Sequence, residues 1–241
     1  MSLPYLVPIF VKLQQRRCVV VGGGPIAAQK ARSLVEAGAM VVVVSPALDP
    51  EAWAGLASQV EHVARPFARG DCAGAALVIS ATADDAVDAT VVDDARAAGT
   101  LVNTVDVPHR CDFYFGSVVR RGPVTVAISS SGASPSVAVA LRKRVEQTLH
   151  ADIGLLTEIL GERRAGLLEA FPDFTARATK LNGAVEQALA RLAEQNTPVS
   201  THALHRWVDA MQQCPRDCSG TCCALACLAD GQNEQRPEWL S

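Results

Sequence analysis

Between residues 17 and 105 the apolar positions fall into two alternating rhythms. Cys18-Val19-Val20-Val21 and Met40-Val41-Val42-Val43-Val44 are unbroken apolar runs dominated by β-branched residues, as strands buried on both faces require. Between them Ile26, Ala27, Ala31, Leu34 and Val35 recur near helical spacing, and Gly38 stands where that helix would stop. Pro25 suits its first turn, where a missing N–H costs nothing. Strand, glycine turn, helix and strand make a βαβ unit with parallel strands. Further strands are expected at 60–64, 76–80 and 101–105, with a helix from 84 to 98 closing at Gly99. The pattern predicts an α/β chain with a Rossmann-like, doubly wound parallel sheet whose ligand lies at the carboxyl ends of the strands.

The rhythm changes after Pro108. Residues 113–120 and 124–129 read as two strands joined by the turn Arg120-Arg121-Gly122-Pro123. Ser134-Pro135 then pairs an N-cap serine with a proline at the first helical position, opening a helix that runs to 149. Residues 152–194 are helical in pattern, interrupted at Phe171-Pro172-Asp173. From 196 onward the chain turns polar and then cysteine-rich and reads as a loose tail, with a short amphipathic helix around His202, His205 and Trp207.

Composition narrows the field. Of 241 residues, 49% are hydrophobic and 20% charged, a globular balance, and the net charge of −3 gives no broad pull toward nucleic acid or an anionic membrane. No run is long and apolar enough to span a bilayer, and the opening residues lack the basic start and apolar stretch of a secretion signal, so a cytoplasmic location is expected. Cys18, Cys72 and Cys111 are scattered, as reduced and inert thiols would be, whereas the other five of the eight cysteines crowd between 214 and 227.

Four segments carry candidate chemistry. Gly22-Gly23-Gly24-Pro25-Ile26-Ala27 is a G-x-G-x-x-A fingerprint between a strand and a helix, fit for the pyrophosphate of a dinucleotide; the plainer reading is a structural glycine turn. The end of the second strand reads Val44-Ser45-Pro46-Ala47, with neither an acid nor an arginine, which leaves NAD and NADP both open. Asn103-Thr104-Val105-Asp106 ends the last parallel strand, where Asp106 is either a general base or a turn aspartate ahead of Pro108. Ser129-Ser130-Ser131-Gly132-Ala133-Ser134-Pro135 is either an anion-receiving loop or a capped turn. The cations Arg110, Arg120, Arg121 and Arg142-Lys143-Arg144 are an ordinary solvated set unless the ligand is rich in carboxylates. The spacing of Cys214, Cys218, Cys222, Cys223 and Cys227 matches no paired C-x-x-C ribbon, so a metal or cluster site and a flexible reduced or redox-active tail both stand, and no metal ligand is assigned.

Taken in order, Val7-Pro8-Ile9-Phe10, the Val-Val-Gly-Gly-Gly run with Lys30-Ala31, Ala81-Thr82, Asn103-x-Val105-Asp106-x-Pro108, Phe113 and the serine loop from Val126 to Pro135 resemble the precorrin-2 dehydrogenase/sirohydrochlorin ferrochelatase family, also found as the front half of sirohaem synthases. The resemblance covers about residues 5–195. It implies an NAD-binding Rossmann domain at 1–112, a small α+β dimerisation and substrate region at 113–148, a helical domain at 149–198 and, outside the family pattern, a cysteine-rich tail at 199–241. It also implies NAD-dependent oxidation of precorrin-2 to sirohydrochlorin, with insertion of Fe²⁺ or Co²⁺ as a second activity in some members. Asp106 is then the catalytic residue. Gly22, Gly24, Pro25, Ile26, Pro46, Ala47, Thr82 and Asn103 are the cofactor contacts, and Ser129, Ser130, Ser131, Ser134, Arg110 and Arg120 the contacts to a carboxylate-rich tetrapyrrole. The serine matching Ser130 is a phosphorylation position in some members, and a homodimer is expected. Ser131 departs from the family, where glycine is common, and the methyltransferase domain of the fused synthases is not in this sequence, so methylation is expected elsewhere. Two other classes fit part of the sequence: a non-catalytic NAD-sensing Rossmann module and a tetrapyrrole carrier.

Overall fold

The computed structural model describes residues 5–194 and 199–213. These residues form two compact units, 5–115 with 131–133, and 116–130 with the described residues from 134 onward.

The first unit is built on five parallel strands: β1 (Arg17–Val21), β2 (Met40–Val44), β3 (Glu61–Val63), β4 (Leu77–Ser80) and β5 (Leu101–Thr104), in the order β3-β2-β1-β4-β5. The expected Rossmann-like sheet is therefore present. Its apolar runs are unbroken because both faces are covered. Cys18, Val20, Val41, Val43 and Ile79 pack under Ala27, Ala31 and Leu34 of α1 (Pro25–Glu36). Their neighbours Val19, Val21, Val42, Val44, Val78 and Val102 pack on the other face, against Val91, Val92 and Ala95 of α2 (Asp85–Ala97). A one-residue slip would exchange these two sets, so the register is firmly held. Trp53 and Leu56, buried in the link between β2 and β3, fill the place of a longer crossover helix. The strand order reverses between β1 and β4, which makes their carboxyl ends the topological switch point.

The strand expected from 113 begins only at Ser117. Residues 112–113 are already bound to β5: Asp112 N–H donates to the Val102 carbonyl at 2.8 Å, its carboxylate accepts from Val102 N–H at 3.1 Å, and the Phe113 carbonyl accepts from Asn103 Nδ2 at 2.8 Å.

The second unit opens with an antiparallel hairpin of β6 (Ser117–Arg121) and β7 (Val124–Ile128), followed by α3 (Pro135–Thr148). Ser134 caps α3 as its sequence predicts, accepting from Val137 N–H at 3.4 Å with Pro135 next. Then come α4 (Ile153–Glu162), α5 (Arg164–Ala170), α6 (Phe174–Glu194) and α7 (Thr201–Gln213). Leu156, Ile159, Leu167, Phe171, Ala188, Leu192, Leu204, Trp207 and Met211 share one core. The boundary drawn at 198 thus falls inside this core, because the apolar face of α7 completes it. The cysteine cluster from 214 onward lies outside the described residues. Among the described residues no helix is long and apolar enough to cross a membrane.

Candidate functional site

The glycine loop runs from the end of β1 into the start of α1, with its three glycines constrained differently. Gly22 has φ +123°, and a Cβ there would run into the Ala81 carbonyl, so the loops after β1 and β4 meet backbone to backbone. A Cβ on Gly23 would strike the Ala47 carbonyl and the Ser45 hydroxyl. Gly24, the N-cap of α1, has ordinary extended dihedrals, no side-chain cap, and open space where a Cβ would sit. A helix N-terminus left without a side-chain cap beside open space is suited to receive an anion on its N–H groups. The backbone therefore fits a pyrophosphate. Pro25 and Ile26 are exposed on the same turn.

The loop is held from below. The Gly23 carbonyl accepts two hydrogen bonds, from Trp53 Nε1–H at 2.7 Å and from Asp49 N–H at 2.9 Å. Ser45 Oγ donates to the Ala47 carbonyl at 2.8 Å, closing the turn on which Pro46 and Ala47 are exposed. The segment after β2, where an acidic residue would grip a ribose, instead stiffens the glycine loop through a buried indole. Trp53 carries no local signal of this, because its partner lies 30 residues earlier.

At the end of β4, Ser80 Oγ and Thr82 Oγ1 each donate to Asp88 Oδ1 at 2.6 Å. Asp88 is buried on α2, so one carboxylate fixes the loop carrying Ala81 and Thr82. The Asn103 amide is likewise engaged: Nδ2 donates to the Phe113 carbonyl and lies 3.4 Å from Cys111 Sγ. Asp106 is exposed just past β5 with φ +60°, a left-handed backbone that aspartate adopts more readily than most residues. Lys30, on the second turn of α1, holds its Nζ 4.5 Å from the centroid of the Phe115 ring and feels the charge of Asp106. Arg110 forms a two-pronged ion pair with Asp85, at 2.7 and 3.2 Å, which lowers the Asp85 carboxyl; any substrate carboxylate at Arg110 would share it with Asp85.

The remaining residues singled out in the sequence belong to the second unit, except Ser131, which groups with the first. Ser130 Oγ donates to the Ser134 carbonyl at 2.9 Å and accepts from Ser134 N–H at 3.1 Å, locking the loop that enters α3. Ser129 is exposed, and Ser131 has φ +53°. Arg120 is exposed on β6, whereas Arg121 donates to the Glu146 and Leu149 carbonyls and so caps the end of α3. Among the described residues no group of three or more His, Cys, Asp or Glu side chains could hold a metal ion.

Comparison with known proteins gives a consistent answer. A family model described as NAD(P)-binding matches residues 9–117. Over 165 residues, 68% of this chain, the sequence is 43% identical to a siroheme synthase of Methylobacillus flagellatus, covering 35% of that protein. Over 171 residues it is 41% identical to a siroheme synthase of Photobacterium profundum, covering 70% of this chain and 36% of the other. The chain thus spans about a third of the length of these relatives. Among solved structures, SirC, a precorrin-2 dehydrogenase, superposes with a TM-score of 0.63 over 86% of this chain and all of its own, at 20% identity, a likeness of fold.

Proposed function

We propose that the chain is a member of the precorrin-2 dehydrogenase/sirohydrochlorin ferrochelatase family and that it oxidises precorrin-2 to sirohydrochlorin with NAD as hydride acceptor. Its likeness to about a third of the length of siroheme synthases and its NAD(P)-binding family match support this reading. One observation carries the reading. The same edge of the parallel sheet bears both an open helix N-terminus at Gly24 and a carboxylate, Asp106, held just past β5.

In this reading Gly22, Gly24, Pro25 and Ile26 hold the pyrophosphate, Pro46 and Ala47 the adenosine side, and Thr82 and Asn103 the neighbouring loops. Bound there, NAD supplies the acceptor for the hydride that leaves the macrocycle. The carboxylate of Asp106 takes the proton that leaves with it, so the substrate loses one hydride and one proton in balance. Such a base contributes on the order of 10²–10⁴-fold, and orientation of two large anions supplies much of the rest. Ser129, Ser130, Ser131, Ser134, Arg110 and Arg120 receive the substrate carboxylates. The same reading extends to divalent metal insertion, with Asp106 accepting the pyrrole protons, and to a homodimer, for which the exposed Val137 and Leu141, one turn apart on α3, offer a small apolar patch.

Purified protein given NAD and anaerobically prepared precorrin-2 is expected to produce NADH absorbance and the sirohydrochlorin spectrum together. Asp106→Ala is expected to lose turnover by roughly 10²-fold or more while binding NAD normally in calorimetry. Near-normal turnover in that variant removes Asp106 from the chemistry. A folded, NAD-binding wild-type protein that makes no NADH overturns the reading, toward an NAD sensor or, if it binds sirohydrochlorin, a carrier.

A further inference from the structure

Within the first unit, Lys30 is a cation whose surroundings do not account for it. Its Nζ lies 4.5 Å from the centroid of the Phe115 ring, which itself packs edge-on against Phe113 with centroids 5.5 Å apart. Lys30 is half-buried, yet among the described residues no carboxylate comes within ion-pair distance of it. Burial pushes its pKa down, and the charge of Asp106 offsets that only in part. A partly desolvated ammonium without an anionic partner is a cost to the fold, and an aromatic face returns only part of it. The missing partner is an anion.

The neighbours indicate which anion. The pyrophosphate position is at the first turn of α1, around Gly24 and Ile26, whereas Lys30 is one turn further along and turned toward the residues that follow β5. There a half-exposed aromatic pair and an ammonium stand together, close enough to Asp106 for its charge to be felt. A flat, apolar ring bearing carboxylate arms at its rim matches both features, since its face suits Phe115 and its rim suits Lys30. We propose that the Lys30 ammonium, set over the Phe115 ring, anchors a carboxylate arm of the tetrapyrrole and so orients the macrocycle toward Asp106. The proposal rests on the dehydrogenase reading for the identity of the ligand. Lys30 is a positioning residue and takes no part in the hydrogen transfer.

The test uses the full chain as wild type, Lys30→Gln and Lys30→Arg. Sirohydrochlorin is titrated calorimetrically without NAD, and KM values for precorrin-2 and for NAD come from NADH formation. A charge-assisted contact of this kind predicts about a tenfold or larger rise in the sirohydrochlorin Kd and in the precorrin-2 KM for Lys30→Gln. The NAD KM is expected to stay within about twofold, and Lys30→Arg to recover most of the affinity. The melting temperature of Lys30→Gln is expected to be unchanged or higher, because a desolvated charge is removed; a merely structural lysine would lower it. Unchanged sirohydrochlorin affinity in Lys30→Gln overturns the anchor, and so does a loss confined to NAD, which would assign the ammonium to the dinucleotide. Wild-type protein that binds sirohydrochlorin but makes no NADH sinks the dehydrogenase reading alone, and the Lys30→Gln titration then still decides the anchor.

Discussion

Cys72 lies fully buried with its Sγ–H directed at the Val91 carbonyl 3.9 Å away, and burial, reinforced by the neighbouring Asp94 carboxylate, pushes its thiol up to about 12. On the order of 10⁻⁴ of it is therefore thiolate at pH 8. Brief iodoacetamide treatment of native protein at that pH is expected to leave the Cys72 peptide unlabelled in mass mapping, whereas treatment in denaturant labels it fully. The same shift has a sign in folding. Between the ordinary thiol range and about 12 the unfolded chain gives up this proton and the folded chain keeps it, so stability falls as pH rises through that window. The scattered spacing of Cys72 suggested a buried, inert thiol; the burial is present, although the preceding Gly70-Asp71 gives no local apolar pattern from which to read it. Ser131 shows a finer case. The departure from a glycine-rich loop was visible in the sequence, but the cost was not, because only the backbone reveals that Ser131 and Gly132 are consecutive left-handed residues, at φ +53° and +80°. Lys30 was legible only as part of a motif, for its aromatic partner lies far along the chain at Phe115.

The glycine loop is the element on which periodicity speaks most clearly. Strand, loop and helix lie within one stretch of chain, and their apolar spacing is set by the faces they bury. What holds the loop is not local. Trp53 and Asp49 reach it from the segment after β2, and Asp88 fixes the facing loop after β4, so neither device has a sequence signature. The three glycines then separate stability from binding. Gly23→Ala must displace the Ala47 backbone and is expected to lower the melting temperature clearly. Gly24→Ala meets open space and is expected to fold, losing about 1 kcal/mol through the poorer cap. In the proposed cofactor site its methyl group would stand where the pyrophosphate approaches, so NAD affinity by calorimetry should fall at least about tenfold. Normal NAD binding by Gly24→Ala would remove the loop from the cofactor site.

Over the whole molecule, the parallel-sheet unit was legible almost entirely, and the helical unit less so. A helical periodicity marks which residues are buried but not which helices bury them, and the polar stretch before Thr201 looked like the start of a tail. Trp207, Leu204 and Met211 show that α7 is part of the core. Trp207→Ala is expected to destabilise the protein by about 3–5 kcal/mol, measured by urea titration of the helical circular dichroism. Trp207→Phe should cost far less, because the buried indole N–H has no hydrogen-bond partner among the described residues. A small effect of the alanine variant would place α7 outside the folded unit. Trp53 is the opposite case, since its N–H is bonded to the Gly23 carbonyl under the dinucleotide loop. With two of the three tryptophans, Trp207 and Trp239, replaced by phenylalanine, all indole fluorescence would come from beneath that loop. Reduced nicotinamide absorbs where indole emits, so the loop carries a built-in optical gauge: NADH arriving above it would dim the emission with no label attached.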